Sequence, residues 1–392
     1  MRKPLEGIFV VELTTYWAAT TCAKFLHDMG ARVVRIETPP RGDATRYYGR
    51  IFGMPVTNEE NAIHDQFNGG KECLALDLTK PENMKVMHNM LAKADIFVTS
   101  TRYKGLKKLG LDWDTLHAKY PKLVMGHVTG YGKEGPLVNR PGIDAISFFA
   151  ANGIVLDTRT DPDSPPIYPT GGMGDTTTGM ALLGGVLGAL YNARITGEGD
   201  YVMTSLYGTG NFVTIGFATG CNYGYQWPRE AKTMSPMGQG YRCKDGKYVY
   251  IFLNEYDKFW NAFCDAFGLD DIRTDPRYCT QDATLNLQYR AELVTLVQER
   301  ALLKTAQEIY DVLLANDVPS CLLNQYKDRY HGEYLEQSLA NGYMIEHTYD
   351  SGNKVYLTQM PIYFESQGTH HEYERCHAIG EDNEALLKEF GE

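Results

Sequence analysis

The chain has 392 residues, 43% hydrophobic and 22% charged, with a formal net charge of −11 at pH 7. That length and composition predict a folded protein of one large or two smaller domains, and the acidic balance argues against general nucleic-acid binding, which needs clustered Lys and Arg. The eight cysteines are scattered without a C-x-x-C pair, which reads as reduced thiols rather than a disulfide framework or zinc site, and the short, alternating N-terminal apolar run is neither a leader nor a membrane span. The expected location is the cytoplasm, with no membrane partner.

In chain order, residues 7–13 (GIFVVEL) predict a buried strand, 17–30 a helix closed by Gly30, and 31–37 (ARVVRIE) a second strand. Short apolar strands separated by a helix predict a parallel sheet. The pattern recurs with a strand at 73–78, a helix at 80–94 opened by Pro81, and strands at 95–100 and 123–132. The longest helical candidate is 176–196. Its glycines each cost about 1 kcal/mol relative to alanine, so they predict close approach by another backbone. Beyond the polar, aromatic connector at 221–240, YRCKDGKYVYIFL reads as a hairpin turning at Asp245-Gly246. Helical stretches follow near 256–267 and 288–315, then a strand at 354–358 and a C-terminal helix.

The first β-α-β unit invites a dinucleotide-binding reading, with Glu37 placed to hold a ribose. The turn LTTYWAATT, however, lacks the glycines that let a backbone approach a pyrophosphate. The histidines form no H-E-x-x-H, and THHEYERCH at 369–377 reads as a solvated segment rather than a metal site. G-x-S-x-G and P-loop patterns are absent. The stretch GGMGDTTTGM, 171–180, holds one carboxylate, Asp175, between glycines and threonines. One reading is a helix N-cap. The other is a nucleophile: the glycines clear its approach, and a helix N-terminus favours its ionised form. With no histidine or second carboxylate nearby in sequence, attack on an activated acyl group fits a lone acid.

At these residues the chain resembles the family III CoA-transferases. The likeness runs through PLEGIFVVELTTYWAATTCAKFLHDMGARVVRIETP, GDATR (42–46), FNGGKECLALDL (67–78), VTGYGKEGP (128–136), GIDAISFFAANG (142–153), GDTTTGM (174–180) and ARITGEGDYVMTSL (193–206). SFFAANG and YRCKDGKYVYIFL carry a closer likeness to transferases of amino-acid fermentation that act on 2-hydroxy acids.

The resemblance implies an α/β fold: a Rossmann-like large domain with a parallel sheet (1–220 with 330–392), a smaller α+β domain (225–325), and an interlocked homodimer. It implies Asp175 as nucleophile, and CoA as substrate with no permanent cofactor and no metal. CoA would lie along Thr15, Tyr16, Trp17 and Ala18, with Ser100 in place of a usual Asn and Thr38 in place of a usual basic residue. Arg41 or Arg46 would then take a CoA phosphate; Lys71, Arg102, Lys104 and Lys108 are further basic candidates. A mobile loop at 235–240, with backbone donors at Gly238, Gln239 and Gly240, would cover the acid and stabilise an oxyanion. Partners would be acyl-CoA, small carboxylic acids and a second copy of the chain. Two other readings stay open: a 2-methylacyl-CoA racemase of the same fold, against which Lys133 after GYG weighs, and a CoA-binding subunit without catalysis.

Overall fold

A computed structural model describes residues 2–159, 163–225, 234–367 and 372–391. The chain divides into two compact units, Met1–Val155 with Tyr168–Ala218 and Leu335–Glu392, and Leu156–Ile167 with Thr219–Tyr334.

The first unit is built on a six-stranded parallel sheet of β1 (Phe9–Leu13), β2 (Arg32–Glu37), β3 (Glu72–Ala75), β4 (Ile96–Thr99), β5 (Val124–Thr129) and β6 (Tyr201–Ser205). Its order is β3-β2-β1-β4-β5-β6, so strand order reverses between β1 and β4, and the loops leaving those two strands open a crevice at the carboxyl edge. The helices are α1 (Ala18–Asp28), α2 (Ala62–Asn68), α3 (Pro81–Leu91), α4 (Tyr103–Leu109), α5 (Trp113–Lys119), α6 (Ile154–Asp157), α7 (Met173–Thr196), α8 (Leu206–Val213) and α9 (Ile215–Asn222).

Adjacent strand residues feed opposite cores, because successive side chains point to opposite faces. Val10, Val33, Ile96 and Val124 pack with α1 and α7. Val11, Val34, Phe97 and Met125 pack with α3, α4, α5 and the C-terminal helix Asn383–Phe390.

The α7 glycines are only partly explained within the chain. A Cβ at Gly179 would stand 2.6 Å from Thr21 Cβ, and one at Gly185 2.5 Å from a Val202 methyl. Gly184 and Gly188 have open space instead. Helix α7 also starts earlier than expected, with Gly172 as N-cap, so Asp175 is the third helical residue rather than the cap.

In the second unit, β7 (Gly238–Arg242), β8 (Tyr248–Phe252) and β9 (Ser320–Leu322) form an antiparallel sheet. It packs with helices Tyr256–Phe267, Leu287–Ala301 and Ala306–Ala315 around Tyr241, Phe263 and Phe267. The hairpin turns through Gly246 at φ 78°. The helical stretch expected at 288–315 is two helices. Thr305 and Glu308 form a capping box that restarts the chain as a helix. Back in the first unit, the strand expected at 354–358 is Lys354–Thr358, paired with Met344–Thr348. Of the connector at 221–240, residues 226–233 lie outside the described residues, as do His370 and His371 of the THHEYERCH stretch.

The α1–α7 contact gives a first prediction. Gly179→Val should lower the unfolding free energy by about 1–3 kcal/mol, the usual range for overpacking, read by urea titration. An unchanged midpoint would contradict the close approach at Thr21.

Candidate active site

The crevice is built from the loops after β1 and β4. Residues 14–17 leave β1 and enter α1 with Trp17 as its N-cap. Tyr16 adopts φ 59°, a left-handed conformation that costs a non-glycine residue roughly 1–3 kcal/mol and needs support from around it. That support is polar. The Tyr16 N–H donates to Asp43 Oδ2 at 3.1 Å, and its carbonyl accepts the Thr20 hydroxyl at 2.5 Å. Thr15 N–H donates to Ser100 Oγ at 2.9 Å, tying the loop after β1 to the loop after β4. Thr15, Tyr16, Ser100 and Arg102, singled out as CoA-binding candidates, therefore share the switch point of the sheet. Tyr16 is half exposed.

Beneath this turn lies a buried ion network. Arg35 donates to Glu12 at 2.5 Å, to Glu37 at 3.0 Å and to Asp43. Arg46 binds Glu37 at 2.8 Å, and Lys71 binds Glu12 at 2.8 Å. All six side chains are less than 10% exposed. Two sequence expectations are corrected here. Lys71 is sealed in the interior, where burial pushes it down to about 8 against the attraction of Glu12, and Arg46 is committed to Glu37. Neither presents a free cation for a phosphate. Burial also works against the charge on Glu37, yet Arg35 and Arg46 hold it well below the usual carboxylate range. Its oxygens are taken by Arg35, Arg46 and the Asp43 N–H, which removes it as a ribose ligand. Arg41, Arg102, Lys104 and Lys108 remain exposed.

The other wall is the start of α7. Gly172 caps the helix at φ 83°, and a Cβ there would stand 2.6 Å from a Trp17 ring atom. Trp17 in turn stacks on Phe67 with centroids 5.1 Å apart and meets Tyr48 edge-on at 4.9 Å. The predicted aromatic residue of the β1 turn is thereby brought to the helix end that carries the predicted nucleophile.

Asp175 is 8% exposed. Sequence reasoning found no second carboxylate near it, but the fold supplies one. Asp144 begins a π-helical stretch, Asp144–Phe149. Its Oδ1 accepts the Asp175 N–H and its Oδ2 the Gly172 N–H, both at 2.9 Å, and the Tyr168 hydroxyl donates to the same Oδ2. Asp144 thus takes the donors at the N-terminus of α7 that were expected to favour an ionised Asp175. Burial, aided by the Asp144 charge, pushes Asp175 up to about 7. A small signal for Asp144 does exist in the sequence. Gly142 packs on Gly130 of VTGYG, where a Cβ would stand 2.5 Å from the Gly130 Cα, and that contact brings the chain to Asp144 two residues later.

The expected loop at 235–240 is partly corrected. Residues 238–240 lie in β7, paired opposite Phe252, Ile251 and Tyr250. The Gly238 N–H donates to Ser235 O at 2.9 Å, and the buried Gln239 amide donates to the same carbonyl at 3.2 Å. The Gly238 donor is therefore committed within its own unit. His127 is also committed, to the Tyr201 hydroxyl at 2.7 Å and Thr101 O at 2.9 Å, and burial pushes it down to about 4. Among the described residues no histidine is coupled to Asp175, no cluster of His, Cys, Asp and Glu suits a metal ion, and no helix is long and apolar enough to cross a membrane.

The Asp175 environment sets a pH-dependent stability. Its folded value of about 7 lies above the ordinary 3.8, so between these values the folded state holds a proton that the unfolded chain has lost. That stabilisation is complete below pH 4 and lost as pH rises through 7. Asp175→Asn should therefore melt higher than the parent at pH 8 and close to it at pH 4–5, by calorimetry. An equal difference at both pH values would refute the desolvated carboxylate.

Residues 5–383 match the model of CoA-transferase family III. The chain is 34% identical over 388 residues to the (R)-2-hydroxy-4-methylpentanoate CoA-transferase of Clostridioides difficile, covering 99% of this chain and 95% of that one. It is 35% identical over 392 residues to the cinnamoyl-CoA:phenyllactate CoA-transferase of Clostridium sporogenes, covering 98% and 93%. Among solved structures, a CAIB/BAIF family protein from Brucella suis superposes with a TM-score of 0.82 at 26% identity over the whole of both chains.

Proposed function

The chain belongs to CoA-transferase family III, enzymes that move CoA from an acyl-CoA to a free carboxylic acid, and from that premise we propose that Asp175 is the nucleophile of the exchange. The observation that carries this reading is a desolvated carboxylate on the first turn of α7, with Trp17 against the Gly172 cap of that helix and helix-end donors held by Asp144. A desolvated carboxylate is a stronger nucleophile than a solvated one, and near neutral pH a large fraction of it is ionised.

The Asp175 carboxylate attacks the donor thioester carbonyl and expels CoA thiolate, leaving a mixed anhydride. The thiolate attacks the aspartyl carbonyl, releasing the donor acid and forming an aspartyl-CoA thioester. The acceptor carboxylate attacks that thioester and again expels thiolate, giving a second anhydride. The thiolate then attacks the acceptor acyl carbonyl, which yields the new acyl-CoA and frees Asp175. No net proton or electron is transferred.

In the same reading, CoA lies across the switch point, on Thr15, Tyr16, Trp17, Ala18 and Ser100, with Arg41, Arg102 and Lys108 as exposed phosphate ligands. The CoA acceptor is a 2-hydroxy acid with a branched or aryl side chain, as the names of the two bacterial relatives suggest. The aromatic surroundings of Trp17, with Tyr48 and Phe67, support a bulky apolar group. Self-association into a homodimer is supported by the outer face of α7. Tyr191 and Ile195 are 72% and 67% exposed there, and a Cβ at Gly184 or Gly188 would meet nothing beyond the helix itself within 4 Å. A cytoplasmic, fermentative setting completes the reading.

Asp175→Ala should lose at least a thousandfold in turnover and still bind CoA. Incubating the parent with acyl-CoA and hydroxylamine should place a hydroxamate on Asp175, detected by peptide mass spectrometry. Turnover retained in the variant, or an unmodified Asp175 in the parent, would overturn the nucleophile assignment.

A further inference from the structure

The turn that bears Tyr16 is held from below by a residue that does not itself face the crevice. Asp43 is 3% exposed and ends the loop after β2. One of its oxygens, Oδ2, accepts both the Arg35 guanidinium and the Tyr16 N–H. The other, Oδ1, accepts the Thr45 N–H at 2.8 Å and opens the 3-10 helix Ala44–Phe52. Its own N–H donates to Glu37 Oε2 at 2.8 Å. Arg35 also reaches the same turn directly, donating to Thr14 Oγ1 at 3.0 Å.

Without these contacts a tyrosine at φ 59° would relax toward negative φ, because its Cβ disfavours the left-handed region. Relaxation would swing the peptide between Thr15 and Tyr16, taking the Tyr16 N–H off Asp43 and the Thr15 carbonyl off the Ser100 hydroxyl, which donates to it at 3.4 Å across the crevice. The carboxylate is needed for more than its charge: the same oxygen must face both a guanidinium and a backbone N–H.

We propose that Asp43 is a positioning residue for CoA. Held by Arg35, it fixes Tyr16 in its left-handed conformation and so preforms the turn on which CoA is bound. This inference rests on the reading that CoA lies on that turn. It adds that the binding surface is shaped by a buried charge pair, and that the affinity lost when Asp43 is altered is the free energy of reshaping Tyr16.

The test is a double-mutant cycle in which CoA affinity is measured calorimetrically for the full-length parent, Asp43→Asn, Tyr16→Gly and the double variant. Glycine adopts positive φ without strain, so it removes the need for Asp43. Asp43→Asn should weaken CoA about tenfold with Tyr16 present and less than threefold with Gly at 16. In Asp43→Asn, KM for acyl-CoA should rise while kcat changes less than threefold, since Asp175 is untouched. Equal losses in both backgrounds, or no loss with Tyr16 present, would overturn the proposal. A parent that binds no CoA would sink the CoA reading itself, a distinct result.

If Asp43→Asn does not fold, Asp43→Glu serves instead. It keeps the charge toward Arg35 and displaces the acceptor of Tyr16 by one methylene. Parent-like CoA affinity in Asp43→Glu would refute the positioning role, and a loss abolished by Gly at 16 would support it.

Discussion

The crevice depends on Arg35. A guanidinium 1% exposed must have its donors met, and meeting them draws the end of β1 and its turn (Glu12, Thr14) to the end of β2 and its loop (Glu37, Asp43). Glu12, Glu37 and Asp43 face Arg35, Arg46 and Lys71, so acids and bases of the network balance three against three. A buried network of this kind is a poor source of net stability, because desolvating the ions costs about what their attraction returns. It does fix geometry. Removing any one member leaves an uncompensated charge in the interior, so the loops after β1 and β2 have few other arrangements open to them.

At the start of α7 the same elements of chemistry are used the other way round. One carboxylate, Asp144, is fully met by two backbone N–H groups and a phenol. The neighbouring carboxylate, Asp175, has no cation beside it among the described residues and is pushed toward neutrality. A helix N-terminus would normally favour a negative side chain in its first turn. Because Asp144 accepts those donors, Asp175 is left with the opposing effects, burial and like charge. The consequence is an acid whose ionised form is poorly stabilised at rest, which suits the proposed nucleophile, since acylation would remove its charge.

Much of this was legible in the sequence, and the exceptions have physical causes. The alternating strands were readable because Val10-Val11, Val33-Val34, Ile96-Phe97 and Val124-Met125 are apolar at adjacent positions, the mark of a sheet covered on both faces. The break near 302–305 was also readable, since Thr305 and Glu308 have capping-box spacing, although the apolar periodicity masked it. Asp144 was not readable as a neighbour of Asp175: 31 residues separate them, and they meet only through the folded contacts of the Asp144 carboxylate with the start of α7. Lys71 and Arg46 were misread because a basic residue in sequence looks the same whether it faces solvent or a buried glutamate. The exposed and buried glycines of α7 likewise cannot be told apart by composition, because what decides each is the neighbour it meets, Thr21 at Gly179 and open space at Gly184.

The two carboxylate arrangements belong to one architecture. Parallel strands in the order β3-β2-β1-β4-β5-β6 bring the turn after β1 to the crevice, and α7 packs against α1, the helix which that turn enters. Trp17 touches both, since it caps α1 and lies against Gly172. The ion network therefore fixes one side of the site and the Asp144 cap the other, with the indole between them. Asp43 is bonded to Arg35, Tyr16, Thr45 and Glu37 and, among the described residues, to nothing on α7, so its loss bears on the turn rather than on Asp175. The separation between a charge-compensated turn, the proposed binding surface, and an uncompensated acid, the proposed nucleophile, follows from where the compensating cations lie: Arg35, Arg46 and Lys71 are all bound beneath the turn, and none is paired with Asp175.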